Sequence, residues 1–238
     1  MISVCIATYN GEKYIKEQLD SILSQLNIND EIIISDDSST DKTLEIVKAY
    51  NESRIKIFSN NEFHSPIFNF ENALKHAQGD YIFLADQDDV WMPNKINQMM
   101  GALNHFSLVV SNCYVVDQNC HIIRQSFFAK DPSTCILNNL IRNSYLGCCM
   151  AFRKEVLEKA IPFPRHIAMH DIWLGLCGAL FYKVCFIPDK LIMYRRHGEN
   201  VSPTGEKSKY SIVYRIKYRL YLMYSLIIRY FSRNWWYK

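Results

Sequence analysis

Glycine-rich phosphate-binding loops are absent from this sequence of 238 residues. None of its eight glycines forms a GxG pair, and no GxxxxGK[ST] motif occurs. The P-loop and the dinucleotide-binding fingerprint are therefore both excluded, because each depends on closely spaced glycines that expose backbone N–H groups to phosphate. A phosphate-bearing ligand would need its charge neutralised in another way, for instance by a metal ion.

Paired cysteines are absent as well. The eight cysteines are scattered, no CxxC pair exists, and several lie inside apolar runs, as Cys5 and Cys185 do. Such spacing supports neither a disulfide framework nor a zinc site. The sequence instead predicts buried free thiols in a reducing compartment, and so a cytoplasmic protein.

Long hydrophobic runs are missing from the C-terminal region. Its longest apolar stretch, Leu220 to Ile228, has nine residues, whereas a membrane-spanning helix needs about 20. The first apolar run begins at Ile2, and we expect it to be a strand of the fold rather than part of a signal peptide.

The net charge of +3 conceals a basic C-terminal tail. Residues 205–238 hold eight Lys or Arg against one acidic residue, Glu206, whereas the rest of the chain has 19 basic and 23 acidic residues. This asymmetry predicts an anionic partner for the tail alone, and it argues against nucleic-acid binding.

The tail also has the pattern of an amphipathic helix. Apolar side chains recur at helical spacing, at Ile212, Ile216, Leu220, Met223, Ile227 and Tyr230. Basic residues together with Trp235, Trp236 and Tyr237 are typical of helices that lie in a membrane interface. We therefore expect residues 207–238 to bind the cytoplasmic face of the inner (plasma) membrane. The alternative is a helix folded onto its own domain or onto a partner subunit.

Strand-like and helix-like segments alternate through the first hundred residues. Repeated strand–helix units predict an α/β fold with a Rossmann-like, mostly parallel central sheet and helices on both faces. The predicted strands of this part are 2–8, 31–35, 54–58 and 81–85. In the less regular second half we expect a hairpin (109–116 with 121–124), helices at 132–141 and 170–181, and strands at 148–152, 184–187 and 191–195.

Carboxylates follow two of the predicted strands. Asp86, Asp88 and Asp89 come after the run Tyr81–Ala85, and a second acidic pair occupies 36–37. Ligands of open parallel sheets lie beyond the carboxyl ends of the strands, so both clusters should face one crevice. Clustered carboxylates repel each other, and Mg²⁺ or Mn²⁺ would relieve this and bind substrate phosphates. The alternative is a cluster that only caps the following helix.

Five segments form an ordered set of motifs: SVCIATYNG (3–11), ISDDSSTD (34–41), ADQDDVW (85–91), MHDIWL (169–174) and YRRHGENVS (194–202). Together they resemble the family-2 glycosyltransferases with a GT-A fold, and among these the rhamnosyltransferase-like subgroup of bacterial surface-polysaccharide biosynthesis. The resemblance implies a catalytic domain over 1–204, with a nucleotide-binding half at about 1–105 and an acceptor-binding half at about 106–204. A helical extension over 205–238 would follow.

The resemblance implies roles for residues of the first half. Tyr9, close to Ala7 in the donor-binding segment, would stack on the nucleobase, and Asp37 would accept a hydrogen bond from the base. Asp86 would reach the ribose or a metal-bound water. Asp88 would bind the Mn²⁺ or Mg²⁺ ion directly.

It also implies roles in the second half. Gly147 would let the donor sugar or the acceptor approach closely, and Asp171 would be the catalytic base. His197 would contact the metal or the diphosphate. The remaining implied contacts are to the diphosphate from Arg195 and Arg196, and to the acceptor from Trp173. Each role has a plain structural alternative: a first-turn helix carboxylate for Asp171, a surface histidine for His197 and a core side chain for Trp173.

Inverting sugar transfer would use these residue types. An acceptor hydroxyl attacks the anomeric carbon while the nucleoside diphosphate leaves from the opposite side, so a carboxylate serves as base and a cation stabilises the leaving group. The expected acceptor is a lipid-linked oligosaccharide, and the expected donor is a nucleoside-diphosphate sugar such as dTDP-rhamnose. A UDP-hexose or UDP-N-acetylhexosamine donor stays open.

Two other classes of protein share parts of the pattern. A phosphatase of the haloacid dehalogenase kind could use the DxDxV run at 86–90, although that motif should end the first strand rather than the fourth. A non-catalytic module could bind a nucleotide sugar or a glycan without consuming it. Asp88 and Asp171 together favour an enzyme over such a module.

Overall fold

The first part of the chain is built from alternating strands and helices. A computed structural model describes residues 1–59, 61–128, 131–198 and 211–232. The elements up to residue 86 are β1 (Ile2–Thr8), α1 (Ile15–Leu23), β2 (Glu31–Asp36), α2 (Thr43–Ala49), β3 (Ile55–Phe58), α3 (Pro66–His76) and β4 (Tyr81–Asp86).

The second part is less regular. It contains β5 (Val90–Trp91), α4 (Lys95–Leu103), β6 (Leu108–Val116), β7 (Ile122–Arg124), α5 (Ile136–Ile141), β8 (Met150–Arg153), α6 (Lys154–Ala160), α7 (His170–Phe181), β9 (Val184–Arg195) and α8 (Ile212–Ser232). A single 3₁₀ turn at Gly147–Cys149 leads directly into β8.

One nine-stranded sheet joins both parts, with the order β3-β2-β1-β4-β8-β6-β9-β5 and β7 paired to β6. The first four strands are parallel, β8 lies antiparallel between β4 and β6, and β9 runs parallel to β6. Strands β1 and β2 bury almost every residue, as expected for parallel strands covered by helices on both faces. The predicted α/β architecture is confirmed, and beyond β4 the sheet becomes mixed.

Some element boundaries differ from the predictions. The two short strands expected at 184–187 and 191–195 are one strand, β9, whose pairing with β6 is interrupted by register shifts. The helix expected from Pro132 begins only at Ile136. Strand β5 was not predicted, because two residues carry no periodic signal; its pairing with β9 brings the acidic segment close to residues 192–193.

Helix α8 folds onto the body of the protein. Leu222 and Leu226 are buried, and burial of such side chains contributes roughly 1.5–3 kcal/mol each. The Arg229 guanidinium donates to the carbonyl oxygens of Ile161 (2.9 Å) and Pro162. These contacts attach the helix to the segment that precedes α7.

The apolar face predicted for the tail is the outer face of α8. Leu220, Met223 and Ile227 are 54, 41 and 51% exposed, whereas the buried side is made by other residues of the helix. The helix thus packs on its own domain and still presents apolar side chains outward. Trp235, Trp236 and Tyr237 lie outside the described residues.

The described ranges contain no helix with both the length and the apolar character required to cross a bilayer.

Candidate active site

The two acidic clusters lie at one edge of the sheet, as predicted from their positions after parallel strands. In the pairing of β1 with its neighbours, Thr8 lies opposite Asp36 and Ala7 lies opposite Asp86. Ala7 therefore separates the two acidic strand ends. The segments that follow them, 37–41 and 87–91, both start from this edge.

A glutamine between the acidic residues connects the segment that follows β4 to the segment that follows β1. The Gln87 side-chain amide accepts a hydrogen bond from the Tyr9 N–H and donates to the Tyr9 carbonyl oxygen, both at 3.0 Å. A Cβ at Gly11 would lie only 2.4 Å from the Gln87 amide oxygen, so only glycine leaves room for this contact. The Tyr9 ring, 56% exposed, is accessible to a ligand.

Asp37 is buried at the end of β2. Its carboxylate accepts hydrogen bonds from the backbone N–H groups of Phe63 (2.6 Å) and Ser65 (3.2 Å). The preceding Asp36 accepts from the hydroxyls of Thr8 (2.7 Å) and Ser39 (2.6 Å). These contacts organise the loops around Tyr9, and the predicted contact from Asp37 to a nucleobase stays a prediction.

Asp88 and His197 are brought together from distant parts of the chain. The Asp88 Oδ2 and His197 Nε2 atoms lie 2.7 Å apart, and their side chains are 15 and 10% exposed. A carboxylate oxygen and an imidazole nitrogen are both accepted ligands of Mn²⁺. Within the described ranges, ligand atoms of Asp86, Asp89 and Cys148 also lie within 4.8 Å of one another.

This donor set fits a divalent cation. Burial, together with the charges of Asp88 and Asp171, raises the pKa of Asp86 to about 8. Burial and Asp88 likewise raise the pKa of Asp89. A nearby positive charge stabilises the ionised form of such buried carboxyl groups and lowers their pKa. Mn²⁺ or Mg²⁺ matches the carboxylate oxygens, whereas the Cys148 thiol is too soft to be a favoured ligand of either ion.

Arg195 is buried and hydrogen-bonds to the acidic segment that follows β4. Its guanidinium donates to the Asp88 carbonyl oxygen (2.7 Å), to the Gln118 carbonyl oxygen (2.8 Å) and to the Glu17 carboxylate (2.5 Å). Its backbone N–H donates to the buried Asp89 carboxylate at 2.9 Å. The geometry therefore gives Arg195 a positioning task, and its predicted contact with phosphate stays a prediction.

Arg196 is half-buried at the end of β9. Its backbone N–H donates to the Val116 carbonyl oxygen at 2.8 Å. Nothing in these contacts tests its predicted role toward the diphosphate.

A buried lysine contacts both the segment that follows β4 and the 3₁₀ turn. Lys95 is fully buried, and its Nζ donates to the Cys148 carbonyl oxygen at 2.7 Å. The same ammonium group lies 4.5 Å from the centre of the Trp91 ring. Lys95 thus ties the segment after β4 to the 3₁₀ turn. Sequence reasoning missed it, although a lysine in line with Met99 and Leu103 on the apolar stripe of α4 was a usable signal.

Asp171 lies in the first turn of α7, beside that 3₁₀ turn. Its carboxylate accepts a hydrogen bond from the Ile172 N–H at 2.6 Å, and the Gly147 N–H also favours its charged form. Burial outweighs these contacts and raises the pKa of Asp171 to about 7. A carboxyl group with such a pKa is suited to accept a proton near neutral pH.

Trp173 does not line the site. Its side chain is fully buried, and its indole N–H donates to the Ala160 carbonyl oxygen at 2.8 Å. The Arg229 guanidinium lies 5.5 Å from the ring centre. No exposed ring face is left on which an acceptor could stack, so the predicted acceptor contact is replaced by a core role.

Known proteins share this architecture. Residues 3–161 match the profile of Glycosyl transferase family 2. A solved structure of S. aureus TarS 1-349 in complex with UDP has a TM-score of 0.71 and 23% identity, covering 95% of this chain and 65% of its own. That likeness extends through the sheet and supports the GT-A fold. The chain thus spans about two thirds of the length of that structure.

Two curated bacterial relatives are similar over most of the chain. The UDP-Glc:alpha-D-GlcNAc-diphosphoundecaprenol beta-1,3-glucosyltransferase WfaP of Escherichia coli is 41% identical over 178 residues, which are 74% of this chain and 70% of that protein. The dTDP-rhamnosyl transferase RfbG of Shigella flexneri is 30% identical over 236 residues, which are 90% and 81% respectively. Together with the family profile and the acidic strand ends, these matches establish that the chain belongs to glycosyl transferase family 2, with a GT-A fold.

Proposed function

We propose that this protein transfers a sugar, with inversion, from a nucleoside-diphosphate sugar to a hydroxyl group of a lipid-linked oligosaccharide in bacterial surface-polysaccharide synthesis. The observation that carries the proposal is that Asp171 lies beside Gly147 of the 3₁₀ turn, whose Cys148 sulfur lies within 4.8 Å of carboxylate oxygens of Asp86 and Asp89. A base with a pKa near 7 and a cluster of carboxylates that favours a cation border one site. Inverting transfer requires these two functions.

Asp171 would take the proton of the attacking hydroxyl. The backbone N–H of Ile172 donates to its carboxylate at 2.6 Å, so the base is oriented before the acceptor arrives. Because the acceptor attacks the anomeric carbon directly, no covalent intermediate with the protein is needed.

Asp88 and His197 would hold a divalent cation, Mn²⁺ or Mg²⁺. Bound there, the ion would stabilise the charge that develops on the leaving diphosphate. Asp86, which pairs with Ala7 of β1, would face the ribose, and the exposed Tyr9 ring would stack on the base. The two hydrogen bonds between the Gln87 amide and the Tyr9 backbone would fix the positions of these two parts of the donor site relative to each other.

The donor sugar is proposed to be glucose or rhamnose. WfaP, by its name, uses UDP-Glc, and RfbG is named a dTDP-rhamnosyl transferase. A UDP-N-acetylhexosamine is the next candidate. The diphosphoundecaprenol-linked acceptor named for WfaP supports a lipid-linked acceptor for this chain as well.

Helix α8 would hold the enzyme at the cytoplasmic surface of an anionic membrane. Its outer face exposes Ile216, Leu220 and Ile227, and residues 212–232 contain basic but no acidic side chains. Apolar contact with the acyl boundary and attraction to anionic lipid would act together. The active site would then lie near a substrate that is confined to the bilayer.

The metal role is tested by removing Asp88 or the ion. The Asp88→Ala variant and EDTA treatment should each lower donor consumption at least about 100-fold, because charge on the leaving diphosphate is no longer stabilised. Donor consumption is measured on UDP-glucose and dTDP-rhamnose. Mn²⁺ added back should rescue the EDTA-treated wild type and not the variant. Full activity in either condition would exclude the metal role.

The role of Asp171 predicts a pH dependence. With a pKa raised to about 7, the carboxyl group is protonated below that pH and ionised above it. The kcat/KM for transfer should therefore fall about tenfold per pH unit below 7. Asp171→Asn should bind donor normally and lose roughly 10²–10⁴-fold in kcat. The exposed Asp189→Asn is the matched control. Unaltered turnover of Asp171→Asn would remove it as the base.

Membrane binding is tested by vesicle sedimentation. Wild-type protein should sediment with phosphatidylglycerol-containing vesicles, less so at high salt. The double variant Ile216→Glu/Ile227→Glu should bind about tenfold more weakly, because two apolar contacts are replaced by negative charge. Ile28→Glu, at an exposed position remote in sequence from α8, is the control. Equal sedimentation of the double variant and the control would contradict the proposal.

A further inference from the structure

Two cavities lie on different faces of helix α5 and have no task in the mechanism above. The first, with a volume of about 300 Å³, lies between α5, α7 and α8, and the side chains that line it are apolar or aromatic. The second, with a volume of about 330 Å³, has both aromatic and polar side chains in its wall. Volumes of this size fall within the range of small-molecule sites.

The first cavity, called the apolar groove below, is bordered by Leu137 and Leu140 of α5, Leu180 of α7, and Met223 and Ile227 of α8. Leu137, Met223 and Ile227 are all exposed. Apolar surface gains free energy when it leaves water, so a concave patch of this kind suits an apolar partner. Ile227 also belongs to the outer face of α8 that the proposed function places on the membrane. The apolar groove is therefore continuous with that face.

The second cavity, called the polar cavity below, has the mixed wall that suits a sugar. Phe127 and Phe128 contribute aromatic rings, whereas Asp131, Asn138 and Arg142 contribute hydrogen-bonding groups. Carboxylate, amide and guanidinium groups together offer both the acceptors and the donors that sugar hydroxyls require. A few polar groups on a largely apolar wall are the usual composition of a ligand site.

The wall of the polar cavity continues toward the proposed base. Ser144 lines the cavity and is followed closely by Gly147, where a Cβ would lie 3.6 Å from the Asp171 Cβ. Between them, the Tyr145 ring packs so tightly on Gly175 of α7 that it leaves no room for a Cβ there. Gly175 is one helical turn after Asp171, so the two residues share one face of α7. This short segment therefore connects the polar cavity to the base.

Positive charge lies at the end of the helix that separates the two cavities. Arg142 directly follows α5 and is exposed. The Arg219 guanidinium of α8 donates to the carbonyl oxygen of Ile141, the last residue of α5, at 2.6 Å. Guanidinium groups are well suited to bind phosphate oxygens. An anionic group is thus favoured between the apolar groove and the polar cavity.

We infer that α5 is the acceptor-binding helix of this protein. The polar cavity holds the sugar of the lipid-linked acceptor, Arg142 binds its diphosphate with added charge from Arg219, and the apolar groove holds the first part of its hydrocarbon chain. The sequence of chain, diphosphate and sugar then leads toward Asp171, as attack by an acceptor hydroxyl requires. The inference rests on the proposed function, from which it takes the lipid-linked acceptor.

Two synthetic acceptors separate the hydrocarbon chain from the rest of the acceptor. GlcNAc-diphosphate is esterified with farnesol in one and with methanol in the other, and transfer from UDP-glucose or dTDP-rhamnose is measured without vesicles. The wild type should have a KM for the farnesyl ester at least about tenfold lower than for the methyl ester, because only the farnesyl chain reaches the apolar groove. Leu137→Gln should raise the KM for the farnesyl ester about tenfold and leave that for the methyl ester unchanged. Arg142→Gln should raise both about tenfold, with the KM for donor unchanged.

The matched controls are Ile28→Gln and Lys48→Gln, at exposed positions remote in sequence from α5. Both should keep the wild-type KM values. A second measurement, titration calorimetry with farnesyl diphosphate and with inorganic diphosphate, does not depend on sugar transfer. The wild type should bind farnesyl diphosphate at least about tenfold more tightly than diphosphate, and Leu137→Gln should remove most of that difference.

The inference is overturned if Leu137→Gln changes neither the KM for the farnesyl ester nor the affinity for farnesyl diphosphate. Two other occupants of the apolar groove would then give their own results. Dissociation of a wild-type dimer by Leu137→Gln in ultracentrifugation would assign the groove to a second copy. Loss of vesicle sedimentation would assign it to the bilayer. Failure of the proposed function looks different: the wild type would consume no donor with either ester, while the titration would still decide whether the groove binds the chain.

Discussion

Negative charge gathered at one edge of the sheet is the constraint around which the rest of the site is organised. Asp36 and Asp86 end the strands on either side of β1, and Asp89 follows Asp86 by three residues. Each carboxylate must be compensated or it opposes folding. The Thr8 hydroxyl donates to Asp36, and the Arg195 backbone N–H donates to Asp89. The Arg195 guanidinium donates to the Asp88 carbonyl oxygen. Burial and neighbouring carboxylates still raise the pKa of Asp86 and of Asp89, so a cation nearby would stabilise their charged forms.

Two glycines allow segments of the site to pack closely against each other. Gly11 admits the Gln87 amide, which joins the segment of Tyr9 to the acidic segment. Gly147 allows the 3₁₀ turn to pack directly on the first turn of α7, because a Cβ there would lie 2.8 Å from the His170 Nε2 atom. Lys95, buried under the 3₁₀ turn, holds that turn against the same acidic segment. Donor binding and the base are therefore coupled through backbone contacts over short distances.

The sequence allowed the alternating fold, the acidic strand ends and α7 to be predicted, because each has a local signal: buried strands, carboxylates after them, or an apolar helix. The contacts that Lys95 and Arg195 make could not be predicted, since they include backbone carbonyl groups more than 50 residues away. The apolar pattern of the tail also did not predict which face of α8 packs on the domain. Its most regular apolar face is exposed, because the contacts that dock it involve Arg229 and carbonyl groups before α7.

The central claim is that Asp171 activates an acceptor hydroxyl for a single direct displacement opposite a diphosphate held by the acidic segment. The most direct measurement is ¹H NMR of the anomeric configuration of the sugar as it is first released from the donor, to water or to an acceptor. A single displacement predicts a product whose configuration is opposite to that of the donor. Retention of the donor's configuration would contradict the account, because it would require a second displacement or front-face attack that this site is not proposed to perform.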